Sequence, residues 1–213
     1  MAETNRRERK KRATRQALIA AAIELFEEQG YDRTTISQIA EAADVSERTF
    51  YLHFPTKEDV LVGDAEEWLE PGLHALADRH RDESMREVLA RVLDAMIDTS
   101  WSSGTADGRA ADRARHALTT PAVHARVLES RFRAHGRLVE AVHAAFPDEL
   151  DEVQAAAVIG SVTGAVYAAS MASLSQGHPA PSTLAAMRDA AAMALATPAL
   201  TSGARTSTPR SGR

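Results

Sequence analysis

The chain has no cysteine in its 213 residues. Disulfides and thiolate zinc sites are therefore excluded, and a reducing cytoplasm is the expected compartment. Lysine is confined to Lys10, Lys11 and Lys57, so nearly all the positive charge is arginine. Glycine-rich phosphate loops are missing, as are alternating strand patterns and internal repeats. No nucleophile and base stand at a spacing that argues for an enzyme, and His116, His124, His135 and His143 do not form a metal-ligand spacing. Neither cofactor nor metal is expected. The N-terminus lacks the apolar stretch of a secretory signal. The run 153–176 has no charged residue, yet it is built from Ala, Gly, Ser and Thr rather than Leu, Ile and Phe, without flanking basic clusters or an aromatic belt. We read it as a packed helix rather than a membrane span.

What is present is helix-forming residues and an uneven charge. At 44% apolar residues, the chain can build one small domain plus a larger one. The net charge of −5 divides into a slight positive excess over residues 1–57 and a negative remainder. Between positions 6 and 15, Arg6, Arg7, Arg9, Lys10, Lys11, Arg12 and Arg15 face only Glu8. Such an arm releases counterions when it meets phosphates.

The stretch 34–57 organises the rest. Thr34 or Thr35 is suited to cap a helix whose apolar face is Ile36, Ile39, Ala40 and Ala43. Residues 44–46 interrupt that pattern, and Ser46 caps a second helix that ends before Pro55. Two helices joined by a short turn form the helix-turn-helix geometry, whose second helix enters a DNA major groove about 12 Å wide. At about 100° per residue, Phe50 and Phe54 turn inward while Arg48, Tyr51 and Leu52 turn out. Arg48 is suited to pair with guanine and Glu47 with cytosine. Thr49, Tyr51, His53 and Lys57 are suited to hold phosphates, and Thr34, Thr35 and Ser46 complete the expected DNA-binding set.

The run GYDRTTISQIAEAADVSERTFYLHFPTKEDVL resembles the DNA-binding domain of the TetR family of bacterial transcriptional regulators, over roughly residues 12–65. Gly30 and Tyr31, the threonine before the second helix, Val45 and Ser46, Thr49, Tyr51, Phe54 and Lys57 stand where that family has them. Phe50 and Arg48 depart mildly, so base preference does not carry over.

Along the chain we expect a basic flexible arm (1–11), the helix-turn-helix domain (12–56), a helical ligand-binding and dimerisation domain (57–196) and a disordered tail (197–213). The first helix uses Ala17, Ala20, Ala21, Ile23, Leu25 and Phe26 and ends at Gly30. A helix from 57 meets Pro71 and Gly72, which either end or kink it. Further helices are read at 84–101, 109–119, 121–146, 153–176 and 182–196, with a loop at 102–108. The class is all-α, about nine helices.

A single reading helix touches few base pairs, so a twofold pair on a palindromic operator is required. Small residues at Ala156, Gly160, Gly164 and Ala168, with Leu184, Met187, Ala191 and Leu195, mark the last two helices as the homodimer interface. The resemblance implies the same. Trp68, Met96, Trp101, His124, Arg131, His135 and Tyr167 are the residues expected to line a pocket for a small apolar or amphipathic organic ligand. In the family resembled, such a ligand changes the spacing of the two reading heads, and repression is the default. The function expected is a ligand-responsive DNA-binding repressor; the alternative is a constitutive DNA-binding protein without effector.

Overall fold

The computed structural model describes residues 2–62, 65–80, 82–102 and 120–196. The expected loop after Ser102, the helix at 109–119 and the tail lie outside the described residues. Among the described residues there are nine helices and no strand: α1 (Ala2–Gln29), α2 (Ile36–Ala42), α3 (Glu47–His53), α4 (Asp59–Val62), α5 (Ala65–Ala77), α6 (Met85–Ser102), α7 (Pro121–Ala145), α8 (Glu152–Ser175) and α9 (Ala180–Leu195).

The N-terminal arm, expected as a flexible segment, forms the first turns of α1, which is helical from Ala2 onward. Alanine and arginine are good helix formers, and the packed second half supplies the nucleus from which the turns propagate. The buried face of α1 keeps Ala21, Ile23 and Phe26 of the expected set, with Ala20 and Leu25 half-buried, and adds residues the sequence reading left out. Leu18, Ile19, Ala22, Ile23 and Phe26 are buried, whereas Ala17 is exposed. The helix ends at Gly30, whose φ of 86° turns the chain out of the helix, with its N–H on the Phe26 carbonyl.

Two cores result. The head core joins α1 to Ile39, Ala40, Phe50, Phe54, Val60 and Leu61, and it takes in Val123 from the start of α7. The body core is built by α5 to α9, with Leu69, Val88, Val92, Leu138, Ile159 and Val162 at its centre. A capping box of Asp151 and Gln154 starts α8, and Gly177, at φ 74°, ends it. By length and composition α8 is apolar enough to cross a bilayer. Although Val153 in its first turn is exposed, Val158, Ile159, Val162, Val166 and Leu174 are buried. They pack in the body between α7 and α9. Buried Ser173 and Thr183 share a 2.8 Å hydroxyl contact between α8 and α9, and Arg188 ties α9 to Asp94 of α6 at 2.8 Å.

Pro71 neither ends nor divides its helix: α5 runs through it from Ala65 to Ala77. Gly72 allows the close approach that follows, because a Cβ there would lie 2.6 Å from Met96 Cγ and 3.3 Å from Val92 Cγ1. Gly72→Ala should lower stability by about 1–3 kcal/mol through overpacking. In a Met96→Ala background the same change should cost clearly less, as a thermal-denaturation double-mutant cycle would measure.

Candidate nucleic-acid interface

The head's geometry starts from its caps. Thr35 opens α2 with its hydroxyl accepting the Gln38 N–H at 3.2 Å, while Gln38 reaches back to the Thr35 N–H at 2.9 Å. Asp44 takes a left-handed φ of 53° in the turn, a conformation that aspartate tolerates better than most residues. Ser46 opens α3 by accepting the Thr49 N–H at 3.1 Å. Both helices have only seven residues, too few to persist alone. Burial of Phe50 and Phe54 at 0% and 1% exposure fixes α3 in place.

With those two rings inward, α3 turns Glu47, Arg48 and Tyr51 to solvent together with Ser46 and Thr35. Leu52, 73% exposed, lies on the same side. Thr49 is half-buried and its hydroxyl meets that of Ser46 at 2.9 Å. A guanidinium, a carboxylate, a phenol and a leucine methyl surface on one short exposed helix match what base edges and thymine methyls offer in a major groove.

Three residues read as DNA contacts have other roles. Thr34 is 1% exposed, and its hydroxyl donates to the Gly30 carbonyl at 2.9 Å and accepts from Gln29. A hydroxyl sealed in the core cannot reach a phosphate. Lys57 donates from Nζ to the carbonyls of Tyr31 and Thr34 at 2.8 and 2.9 Å and lies over the Tyr31 ring at 4.0 Å. It satisfies the two carbonyls left by the α1–α2 turn. The Tyr31 hydroxyl donates to Glu58, so two consecutive residues just before α4 hold the same turn. Burial and this carboxylate raise the Tyr31 pKa above the ordinary phenol value. His53 is half-buried, and its Nδ1 is buried without a hydrogen bond among the described residues. Desolvation, then Arg15 and Lys11, lower its pKa below the ordinary imidazole value.

That neighbourhood was not legible in the sequence. Arg15 of α1 lies over the Phe54 ring at 4.6 Å, beside the end of α3. Arg15, from the basic part of α1, thus sits beside the end of the reading helix.

The other expected sites divide as well. His124 and Tyr167 meet at 2.8 Å, Arg131 lies over the Tyr167 ring at 4.4 Å, and His135 faces the position of a Cβ on Gly160. These four residues come together along the α7–α8 seam. Met96 is instead buried in the body core against Gly72, and Trp68 packs on the edge of that core. Trp101 lies in the last turn of α6, and its side chain is outside the described residues. Of the dimer set, Met187, Ala191 and Leu195 are buried inside their own chain, because α9 turns its apolar stripe toward α8 and α6. Leu184 and Ala156 pack on the same core, and Gly160 is half-buried toward α7. Gly164 and Ala168 face outward.

Comparison with known proteins gives this geometry its context. The family model for bacterial regulatory proteins of the tetR family matches residues 18–62. The HTH-type transcriptional regulator TcmR of Streptomyces glaucescens is 36% identical over 155 residues, which cover 68% of this chain and 66% of TcmR. Other curated regulators are matched over two fifths of their length or less. Among solved structures, a TetR-family regulator from Mesorhizobium loti MAFF303099 superposes with a TM-score of 0.56 at 15% identity, covering 85% of this chain and 93% of that one. FadR from Bacillus subtilis, solved in complex with stearoyl-CoA, superposes with a TM-score of 0.53 at 19% identity, covering 84% and 97%. At such identities the likeness is one of fold.

Framework and reading residues should separate in the test tube. Lys57→Met should lower head stability by about 2 kcal/mol, since it strands the Thr34 carbonyl and leaves that of Tyr31 only the Thr34 N–H at 3.3 Å. Arg48→Ala should change stability by about 0.5 kcal/mol or less while costing about 1–3 kcal/mol in DNA affinity at one base position. Thermal melts beside fluorescence-anisotropy titrations check both, and an Arg48→Ala protein that keeps full affinity and base preference would remove Arg48 from the reading set. The head geometry, the family-model match across it and the relation to TcmR agree: the chain belongs to the TetR family, bacterial regulators that bind DNA rather than enzymes.

Proposed function

We propose that the protein is a ligand-responsive repressor acting in the cytoplasm, which binds a palindromic operator as a homodimer and is released from it by a small apolar or amphipathic organic molecule. The observation that carries the reading is that one rigid helix belongs to both halves of the chain. At its start, α7 gives Val123, 0% exposed, to the head core, and Arg126 donates to Asp59 of α4 at 2.9 Å. Asp59 in turn accepts from the Thr56 N–H and hydroxyl. Further along, the same helix carries His124, Arg131 and His135 on the seam with α8. A displacement of α7 at that seam must be felt by the reading head, which is the physical content of coupling between two sites.

The dimer reading rests on the outward side of α8 and α9. Val153, Ala157, Gly164, Ala168 and Ala172 are exposed and uncharged, and exposed Ala185, Ala192 and Met193 lie on α9. A face of small residues lets two helix pairs approach closely about a twofold axis. That axis also supplies the second head, which a palindrome with half-sites about 34 Å apart requires.

Selection of bound duplexes from a random library at about 150 mM salt tests the operator. The wild type should enrich a palindrome. Ala168→Glu, which sets like charges across the axis, should sediment as a monomer at micromolar concentration and lose operator affinity by a hundredfold or more. A variant that stays dimeric places the interface elsewhere, and enrichment of a single unpaired half-site overturns the dimeric mode.

A further inference from the structure

The guanidinium of Arg131 is held without being neutralised. It lies 4.4 Å from the centre of the Tyr167 ring, and its one hydrogen bond among the described residues is a long one, 3.4 Å from Nη2 to the Thr163 carbonyl. Elsewhere in the body Arg91, Arg126, Arg137 and Arg188 each meet a carboxylate. Arg131 meets none among the described residues, although a guanidinium carries five donors. Desolvation lowers its pKa from the ordinary arginine value, with only Tyr167 opposing. A half-buried cation in this state lacks the partner that normally offsets its burial.

The groups around it fit an anion. Tyr167 holds the guanidinium by its face and turns its hydroxyl to His124 Nε2 at 2.8 Å, so a phenol, an imidazole and a guanidinium converge on one stretch of the seam. The Thr163 hydroxyl is already committed to the Ile159 carbonyl at 2.6 Å and does not compete. On the solvent side of this polar stripe, α7 exposes Leu128 and Phe132, at 48% and 79%. Two large apolar side chains beside an unpaired guanidinium call for a molecule with a charged end and an apolar end.

We propose that Arg131, with His124 and Tyr167, binds the carboxylate or phosphate of an amphipathic organic anion whose apolar part lies along Leu128 and Phe132. This deepens the effector reading given above and rests on it. His124 adjoins Val123, the residue buried in the head core, so an anion that draws this seam together acts at the first turn of α7, where head and body are joined.

The test uses the full chain and probes below their micelle concentrations: dodecanoate and dodecyl phosphate, their neutral and cationic counterparts dodecanol and dodecyltrimethylammonium, and acetate and inorganic phosphate as head groups alone. Thermal shift reports binding to the folded state, and operator release is read by anisotropy. At least one of the two anionic amphiphiles should stabilise the protein and release the operator, with the isolated head groups far weaker. Arg131→Gln should weaken that binding about tenfold or more, the scale of a lost charge-assisted hydrogen bond. Circular-dichroism melts of the unliganded variant show whether it is folded, and the ranking of the probes on the wild type decides the matter without it. If dodecanol or the ammonium binds as well as the anions, an effector pocket exists but the anion site is wrong. Equal stabilisation by acetate or phosphate overturns the amphipathic part. No stabilisation by either anion overturns the site altogether, while operator selection judges the DNA-binding reading separately.

Discussion

The position of α3 depends on two phenylalanine rings. A helix of seven residues has no stability of its own in water, yet a reading helix is useful only if its exposed side chains keep a fixed register against a groove. Phe50 and Phe54, fully buried and 5.7 Å apart between ring centres, supply that fixity. Burying two such rings contributes several kcal/mol, at about 1.5–3 kcal/mol each. Their inward orientation is also what sends Arg48 and Tyr51 outward. Packing and reading are thus two faces of the same short segment.

The head cannot be closed by α1 to α3 alone. A unit of about fifty residues buries too little surface to be comfortably stable, and the missing apolar side chains come from α4 and from Val123 of α7. The consequence is mechanical. A domain that borrows core from its neighbour cannot move independently of it, and the Arg126–Asp59 pair adds direction to that link because Asp59 also fixes Thr56 at the entrance to α4. Stability of the head and its coupling to the body are therefore one structural fact.

The helices were legible because each leaves a local mark: Thr35 and Ser46 cap, Gly30 turns left-handed, Pro121 begins a helix whose missing N–H is not needed, and apolar residues recur at 3.6. The outward Arg48 and Tyr51 followed from angle alone. What escaped was any role fixed by a distant partner. Thr34 and Lys57 look like phosphate ligands in sequence, since a hydroxyl and an ammonium beside a reading helix suit that task. Only the fold shows the backbone carbonyls that occupy both. Pro71 left an end or a kink open in the sequence, and the fold excludes the end. A proline inside a helix forfeits one backbone bond, and here the packing of Leu69 and Leu76 against α6 outweighs that loss.

The last two helices illustrate the same limit. A stripe of Met187, Ala191 and Leu195 states that one face of α9 is covered, but periodicity cannot name the cover. In the folded chain it is α8 and α6. Once that stripe is used internally, the face left on α8 is the small-residue side, Ala157, Gly164, Ala168 and Ala172. Among the described residues, nothing lies within 4 Å of a would-be Cβ on Gly164. Glycine in a helix interior costs about 1 kcal/mol relative to alanine, and no contact among the described residues offsets that cost at position 164. A second copy approaching along this face would offset it, because removing side chains from both surfaces is what brings two helix backbones close enough to pack.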